Sequence, residues 1–262
     1  MCAKRRADGN LKFKFLLSNL FLGKSAFVSY PKSGRTWMRY VLRLADIDVR
    51  FNHAGSGHSL KEIGEDFLGV DKHVLARKNV FMYRNPLDTA VSMYFETSLR
   101  SLHPSSEGFA EKIKKLNLLD RTPPANIQDF VLDPVWGVER VCKFNRGWLD
   151  FFHTMNDKHF HVLMYESARS DPEREIKRLL DFFNASSKNL AEIVRKTQFE
   201  EMQKLESSLA EPVATLRLGM QVPGEPESMK VRKGKVGGYM DYLSPEAIDE
   251  CRRIALSYGF GV

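Results

Sequence analysis

Cysteine is scarce in this sequence of 262 residues. The three cysteines, Cys2, Cys142 and Cys251, are odd in number and lie far apart. They form no CxxC pair, so the sequence favours neither a zinc knuckle nor a disulfide framework. A reducing compartment fits this cysteine usage best, and we predict a cytoplasmic protein.

Long apolar runs are also lacking. Residues 11–22, LKFKFLLSNLFL, are apolar but are interrupted by Lys12 and Lys14. A membrane-spanning helix needs about 20 apolar residues, so this stretch is too short. A basic KRR precedes it, but no small-residue cleavage site follows, and a secretory signal is not indicated. We therefore predict no membrane partner.

Positive charge is the first feature present in excess. The formal net charge is +7, with 28% charged and 43% hydrophobic residues. This composition favours a folded chain with a substantial core over a disordered one. The excess of cations favours an anionic partner, whether nucleotide, nucleic acid or membrane surface. A generally basic surface explains the charge equally well, so charge alone identifies no partner.

Strand-like and helix-like stretches alternate along the chain. Ala26–Tyr30, Val49–Asn52, Asn79–Pro86 and Phe160–Tyr165 have the apolar character of strands, and helical patterns separate most of them. Such alternation predicts an α/β fold with a central, mainly parallel β-sheet flanked by helices.

Two irregular segments interrupt this pattern. Residues 101–134 are polar, and we predict a loop-rich insertion with one short helix. Residues 207–231 contain three prolines and two glycines. Such a long segment within a domain is usually a functional lid or disordered, and we predict a mobile lid. We predict that residues 1–262 form a single domain, in which residues 1–25 are an N-terminal extension.

The junction between the first predicted strand and the following helix has the composition of an anion site. The strand ends at Tyr30, and PKSGR follows before the helical pattern starts at Thr36. A helix N-terminus presents free backbone N–H groups and the positive end of the helix dipole. Gly34 lets the backbone approach an anion closely, and Lys32 adds a positive charge. The junction therefore favours a phosphate ligand.

Two further cationic motifs suggest more than one phosphate. In YRNPLDTAVSMY, Arg84 ends a strand and Ser92 lies about two turns into a helix that Asn85 is expected to cap. The arginine suits a second phosphate, although a structural arginine that binds carbonyl groups is equally expected. In VRKGKVGGY, Arg232 and Lys233 suit an anion clamp, although a solvated charge run is the usual alternative.

The ordered set of motifs resembles one enzyme family. With YPKSGRTW, YRNPLDTAVSMYF and RKGKVGGY in this order, the chain resembles the cytosolic-type sulfotransferases that use 3′-phosphoadenosine 5′-phosphosulfate (PAPS). Their motifs read YPKSGTTW, RNPKDxxVSxY and RKGxxGDW. LMYESARSDPEREIKRLLDFF and TQFEEMQ resemble two further family segments, so the resemblance spans roughly residues 26–245. It implies the sulfotransferase fold, which is related to that of P-loop kinases.

The resemblance implies three groups of donor-binding residues. Those for the 5′-phosphosulfate are Lys32, Ser33, Gly34, Arg35, Thr36 and Trp37. Those for the 3′-phosphate are Arg84 and Ser92, over which Arg232, Lys233 and Gly234 would close. Those for the adenine are Tyr165, Thr197, Phe199 and Met202. The chain departs from the family at Arg35, which replaces threonine, at Leu87, which replaces a common lysine or arginine, and at Tyr239, which replaces tryptophan.

The resemblance also implies the catalytic groups. Sulfuryl transfer is an in-line displacement helped by positioning and charge stabilisation, like phosphoryl transfer. Lys32 would stabilise the charge on the leaving oxygen. The family's base is a histidine after a strand, and its KTHxP motif is absent here. RFNHAGSGH is the only plausible counterpart, so we predict His53 as the base, with His58 as the alternative. No metal is implied.

We therefore predict a sulfotransferase that moves the sulfuryl group of PAPS to a hydroxyl or an amine of a small molecule and releases PAP. The acceptor pocket is expected from residues 53–67, 98–133 and 207–230. We expect no nucleic-acid partner and a compact microbial or algal-type branch. The oligomeric state stays open, since the family's KxxxTVxxxE dimer motif is not evident.

Two alternatives remain from the sequence. One is a nucleotide-binding module without catalysis. The other is a nucleotide kinase with an altered phosphate loop, which would need magnesium and an acidic ligand. The tripeptide GKS at residues 23–25 is no Walker A motif, because Ser18 occupies the first glycine position and GKS precedes the strand.

Overall fold

In the computed structural model, the described residues are 25–53, 56, 78–153, 157–208, 218, 219, 222 and 224–261. Several predictions lie outside these residues. They include the alternative base His58, most of the loop at 53–67, the central part of the predicted lid, and all of the N-terminal extension except Ser25.

A parallel β-sheet forms the centre of the described part of the chain. Its strands are β1 (Ser25–Ser29), β2 (Val49–Asn52), β3 (Asn79–Tyr83) and β4 (Phe160–Met164). The strand order is β2-β1-β3-β4, and each neighbouring pair is parallel. The predicted α/β fold with a mainly parallel sheet is confirmed.

The helices pack on both sides of this sheet. They are α1 (Arg35–Leu44), α2 (Pro86–Glu96), α3 (Phe109–Leu118), α4 (Ile127–Leu132), α5 (Val138–His153), α6 (Tyr165–Ser170), α7 (Pro172–Phe183), α8 (Leu190–Lys196), α9 (Phe199–Ser207) and α10 (Pro245–Ser257). A π-helical turn, Thr97–Ser101, continues α2 directly.

Alternating residues of the central strands supply the two halves of the core. On β1, Phe27 packs in the cluster formed with α1 and α7, whereas Val28 packs in the cluster formed with α2, α5 and α10. Side chains of a strand point alternately to opposite faces, so β1 and β3 are covered on both sides. The apolar face of α7 is buried at Ile176, Leu179 and Leu180.

Side chains cap the N-termini of α2 and α7. The Asn85 side chain accepts hydrogen bonds from the backbone N–H groups of Leu87 and Asp88, at 2.9 and 3.3 Å. Asp171 caps α7 in the same way, through the N–H of Arg174 at 3.1 Å. Each cap is followed by a proline at the first helical position, where its missing N–H costs no hydrogen bond.

Residues 101–134 contain two helices, α3 and α4, where the sequence predicted one. Asn126 caps α4 by accepting from the N–H of Gln128 at 2.7 Å, and Phe130 and Val131 of that helix are buried. A helix of this length draws its stability from tertiary burial, which the polar local composition does not reveal.

The prediction of a buried strand over Phe160–Tyr165 was partly wrong. Strand β4 ends at Met164, and Tyr165 begins α6. Val162 and Met164 are 38% and 36% exposed, because β4 is the edge strand of the sheet formed by the described residues. The shift matters for function, since the side chain of Tyr165 contributes to the site described below.

The strand order reverses between β1 and β3. The chain continues from β1 to β2 on one side, whereas β3 and β4 lie on the other. In open parallel sheets, ligands bind in the crevice at the carboxyl ends of the strands at such a switch point. This topology places the loop after β1 beside Arg84, which follows β3.

Candidate active site

The loop between β1 and α1 has an unusual backbone. Lys32 and Gly34 adopt left-handed conformations, with φ of 68° and 95°. A Cβ atom on Gly34 would lie 2.6 Å from the ring of Tyr165, so only glycine fits there. A left-handed backbone conformation is uncommon for lysine, and residues that adopt one against their preference cluster at functional sites. Loops of this kind form concave nests of N–H groups that bind anions.

Several buried donors near this loop lack partners. The hydroxyl of Ser33, the Nε of Arg84 and the indole Nε1 of Trp37 are buried without a hydrogen-bond partner in the described part of the chain. Buried polar groups are nearly always hydrogen-bonded, so orphaned donors indicate a missing acceptor. An anionic ligand between β1 and β3 supplies such an acceptor, and the residues present therefore fit one.

Arg84 connects the three sequence motifs. Its guanidinium donates to the carbonyl oxygens of Lys32 at 3.4 Å and Lys235 at 3.1 Å, and it pairs with Asp88 at 3.4 Å. It also lies 4.6 Å from the ring centroid of Tyr165. One arginine thus joins the loop after β1, the start of α2 and the C-terminal cationic motif.

Asp88 is a second link that the sequence analysis did not assign. Its two carboxylate oxygens accept from the backbone N–H groups of Gly237 at 2.9 Å and Tyr239 at 3.0 Å. The residue is buried, so these charge-assisted hydrogen bonds are shielded from water. Its place in the RNPLD motif was the available signal. Asp88 holds the C-terminal motif against α2.

The cations of the C-terminal motif are paired with protein groups. Arg232 contacts Glu227 at 2.6 Å and lies 4.3 Å from the ring centroid of Phe95. Lys233 lies 3.4 Å from Asp241 and 4.4 Å from the ring centroid of Tyr242. A phosphate ligand would have to share or replace these partners, so the predicted role of this pair stays a proposal.

Aromatic side chains line the other end of the site. Trp37 and Tyr165 pack edge to face with ring centroids 6.0 Å apart. The guanidinium of Arg169 lies 5.8 Å from the ring centroids of both Trp37 and Phe199. A Cβ on Gly234, whose φ is 59°, would lie 2.4 Å from the Phe199 ring. The C-terminal motif therefore reaches the predicted adenine-binding residues.

These groups surround one cavity of about 430 Å³. The predicted site residues that line it are Lys32, Gly34, Arg35, Thr36, Trp37, His53, Arg84, Ser92, Tyr165, Thr197, Phe199, Met202, Arg232, Lys233 and Gly234. Ser33 is fully buried within the loop and does not line the cavity. The fold thus brings together residues that are up to about 200 positions apart in the sequence.

His53 lies directly after β2 and lines the cavity. Its Nδ1 is 2.7 Å from the carbonyl oxygen of Ser29. A carbonyl oxygen only accepts, so Nδ1 carries the proton in this hydrogen bond and Nε2 is the basic nitrogen. The contact thereby selects the tautomer and orients the ring as a general base requires.

Glu96 is the main site residue that the sequence analysis missed. Its Oε2 lies 3.0 Å from Lys32 Nζ and 3.4 Å from Arg100 Nε. Burial acts to raise the pKa of Glu96, but the Lys32 and Arg100 cations outweigh it and hold the pKa below its ordinary value. Glu96 comes four residues after Ser92, on the same face of α2, which was the available signal.

Comparison with known proteins identifies the family. A family model described as the sulfotransferase domain matches residues 70–256, more than two thirds of the chain. The chain belongs to the sulfotransferase family. The predicted family, fold class and enzyme class are confirmed. The branch of the family stays a prediction.

Curated relatives of this sulfotransferase are distant but extend over most of its length. The amine sulfotransferase of Oryctolagus cuniculus is 21% identical over 254 residues, which cover 87% of this chain and 77% of the relative. Cytosolic sulfotransferase 17 of Arabidopsis thaliana is 26% identical over 261 residues, with 84% and 69% covered.

Solved structures share the fold. Mouse sulfotransferase SULT7A1 complexed with PAP has a TM-score of 0.55 and 20% identity, covering 90% of this chain and 83% of its own. Retinol dehydratase in complex with androsterone and inactive cofactor PAP has a TM-score of 0.59 and 15% identity, with 91% and 81% covered.

The described residues contain neither a membrane-spanning helix nor a cluster of metal-binding side chains. None of their helices has the length and apolar character that crossing a bilayer requires. No group of three or more His, Cys, Asp or Glu side chains among them is arranged to hold a metal ion.

Proposed function

We propose that this sulfotransferase moves the sulfuryl group of PAPS to a hydroxyl or amine of a small-molecule acceptor and releases PAP. The observation that carries the proposal is the switch point between β1 and β3. There the loop with left-handed Lys32 and Gly34 lies beside Arg84, and the hydroxyl of Ser33 and the Nε of Arg84 are buried without a partner among the described residues. This arrangement fits a nucleotide with two separate phosphate-bearing groups better than it fits a single small anion.

The donor-binding residues follow from the family motifs. The loop from Lys32 to Trp37 would hold the 5′-phosphosulfate, and Arg84 with Ser92 would hold the 3′-phosphate. Arg232, Lys233 and Gly234 would close over the 3′-phosphate. The residues proposed around the adenine are Tyr165, Thr197, Phe199 and Met202, all of which line the cavity. The PAP bound by the two structural neighbours supports the choice of donor.

The chain supplies charge stabilisation and a base. When bound, PAPS supplies a sulfuryl group: a bond forms from sulfur to the acceptor atom, the sulfur–oxygen bond to the 5′-phosphate breaks, and PAP keeps the electron pair. Lys32 stabilises the negative charge on that oxygen. Nε2 of His53 accepts the proton of the acceptor, since Nδ1 already donates to Ser29.

The acceptor is proposed to enter the part of the cavity that lies outside the family motifs. Glu96 at the end of α2, Leu102, Lys112 and Trp136 line the cavity and lie outside those motifs. Leu102 and Lys112 belong to the segment at 98–133 that was predicted for acceptor binding, and Glu96 and Trp136 adjoin it. A cytoplasmic location and a single domain with a lid at 207–231 remain part of the proposal.

The first test is the thermal stability of the protein with PAP, with ATP or with buffer alone, each with and without magnesium. A ligand that binds the folded state raises the melting temperature by linkage. We expect a large increase with PAP that does not depend on magnesium. An increase with ATP and magnesium but none with PAP would favour the nucleotide kinase. Binding of PAP without transfer to any acceptor from labelled PAPS would favour the module without catalysis.

A further inference from the structure

The described lining of the cavity is rich in cations. It includes ten lysine and arginine side chains and two acidic ones, Asp88 and Glu96. Glu227 and Asp241 pair with cations of the C-terminal motif. A lining of this composition favours anionic ligands.

Lys230 is a cavity cation whose side chain has no partner among the described residues. It lines the cavity, yet its ammonium group forms no hydrogen bond or ion pair with any described residue. Its backbone is nevertheless fixed. The carboxylate of Glu206 accepts from the N–H of Lys230 at 2.8 Å and from the N–H of Val231 at 2.7 Å. These hydrogen bonds fix the backbone of Lys230 at the cavity, so the residue is not part of a solvent-exposed run of charges.

The surroundings of Lys230 are dominated by other cations. Burial lowers the pKa of Lys230 to about 8; Glu96 acts to raise it, and Arg100, Lys32 and Arg35 lower it further. Glu96 is already paired with both Lys32 and Arg100, so it does not neutralise the group. An additional anion here would relieve the repulsion between these cations.

Part of the cavity wall is apolar. Val91, Met93, Leu102 and Trp136 line the same cavity, and the indole of Trp136 donates its N–H to the carbonyl oxygen of Arg121 at 3.1 Å. With its polar atom satisfied, Trp136 offers a hydrophobic surface. An acceptor with an apolar or aromatic body fits this wall, because most ligand pockets combine apolar walls with a few placed charges.

We propose that Lys230 binds an anionic group of the acceptor, so that the preferred acceptors are hydroxylated or aminated acids with an apolar body. Carboxylate and phosphate groups share the required chemistry. The proposal rests on the proposed function, because the same cavity must also hold PAPS. Lys230 acts as a specificity determinant, with no part assigned to it in the transfer of the sulfuryl group.

The test compares a matched acid and amide on protein saturated with PAP. Calorimetric titrations measure the binding of 4-hydroxyphenylacetate, its neutral amide and 4-hydroxyphenyl phosphate. The variants are Lys230→Met, which keeps the apolar stem, Lys230→Arg, which keeps the charge, and the exposed Lys188→Met as a control for net charge. We expect the wild type to bind the acids at least about tenfold more tightly than the amide. Lys230→Met should lose this preference, Lys230→Arg should retain most of it, and Lys188→Met should leave it unchanged.

Other outcomes overturn the proposal. If the wild type binds acid and amide equally tightly, or binds neither, the proposed preference for an anionic acceptor is wrong. A preference that survives in Lys230→Met assigns the anion to another cation. A loss of PAP affinity in Lys230→Met equal to the loss of acid affinity places Lys230 in the donor site. Failure of the wild type to bind PAP at all is a separate result, which contradicts the proposed function itself.

Discussion

At the residue scale, Lys32 is the side chain to which the proposed mechanism assigns charge stabilisation. Its Nζ lies 3.0 Å from Glu96, so in this structure the ammonium is paired with a protein carboxylate. Removing the ammonium would take away the charge proposed to stabilise the leaving oxygen, whereas the loop N–H groups proposed to bind the phosphate would remain.

We expect Lys32→Ala to lower kcat by about 10²- to 10³-fold, the range found when one charge-stabilising donor is removed. PAP affinity should fall much less. Steady-state turnover of an acceptor found by screening, with calorimetric titration of PAP, measures the two effects. Lys188→Met serves as the matched loss of one charge. A kcat within threefold of the wild type would show that Lys32 does not stabilise the leaving group.

The second prediction at the residue scale concerns His53. Replacing it by glutamine keeps a polar side chain but removes the basic Nε2 that the bond to Ser29 orients. We expect His53→Gln to lower kcat by about 10²- to 10⁴-fold. The PAP-induced increase in melting temperature should persist. Undiminished turnover in this variant would transfer the role of base to another group.

At the scale of elements, Glu206 connects helix α9 to the segment that carries the C-terminal motif. It is buried, and besides the N–H groups of Lys230 and Val231 it accepts from the N–H of Gly219 at 2.9 Å. Arg100 holds the same segment through the carbonyl oxygens of Gly219 and Ser228. The backbone that leads into Arg232 is therefore positioned by two side chains from distant elements.

Glu206→Gln replaces one accepting oxygen by a donor and leaves at least one of these buried N–H groups unsatisfied. We expect a loss of about 2 kcal/mol in the free energy of unfolding, together with weaker PAP binding. Urea denaturation and PAP titration measure these quantities. Glu200→Gln, on the exposed part of the same helix, is the control and should change neither. Unchanged PAP affinity in a destabilised Glu206→Gln protein would limit Glu206 to a structural role.

At the scale of the whole molecule, His161 of β4 makes stability depend on pH. Burial and the nearby Arg178 lower the pKa of His161 to about 4, while Glu175 acts to raise it. The ring stacks on Phe182, with centroids 5.4 Å apart, and its Nε2 is buried without a partner in the described part of the chain. The folded protein therefore keeps a neutral imidazole at pH values where the unfolded chain binds a proton.

Because the unfolded state binds more protons between about pH 6.5 and pH 4, stability falls as the pH decreases through this window. His161 has no effect on the free energy of unfolding above pH 7. Below pH 4 it lowers this free energy by at most about 3 kcal/mol. His161→Phe keeps the stacking and removes the proton site. We expect its melting temperature to fall less than that of the wild type between pH 7.5 and pH 4.5. Parallel curves for the two proteins would contradict the assignment.

The sequence by itself determined most of the elements and the cationic motifs. Local patterns indicate strand β2, the caps Asn85 and Asp171, and the order of the three cationic motifs. Side-chain periodicity and capping depend on near neighbours in the chain, so they can be recognised without the fold. The motifs also carried the family, since their residues and order are specific even at low overall identity. Local composition was insufficient where burial decides, as at the short helix α4 and at the edge strand β4.

Only the tertiary structure decided which side chains meet across the site. Lys32 pairs with Glu96, 64 positions away, and Asp88 holds Gly237, 149 positions away. No local pattern encodes such pairs, because they arise when the parallel sheet brings the ends of β1 and β3 together and α2 and the C-terminal segment pack over them. The same packing leaves Lys230 in the cavity without a partner among the residues that the structure describes, where the sequence showed only one more lysine near a basic motif. Motif chemistry is local, whereas charge balance within a cavity is a property of the folded chain.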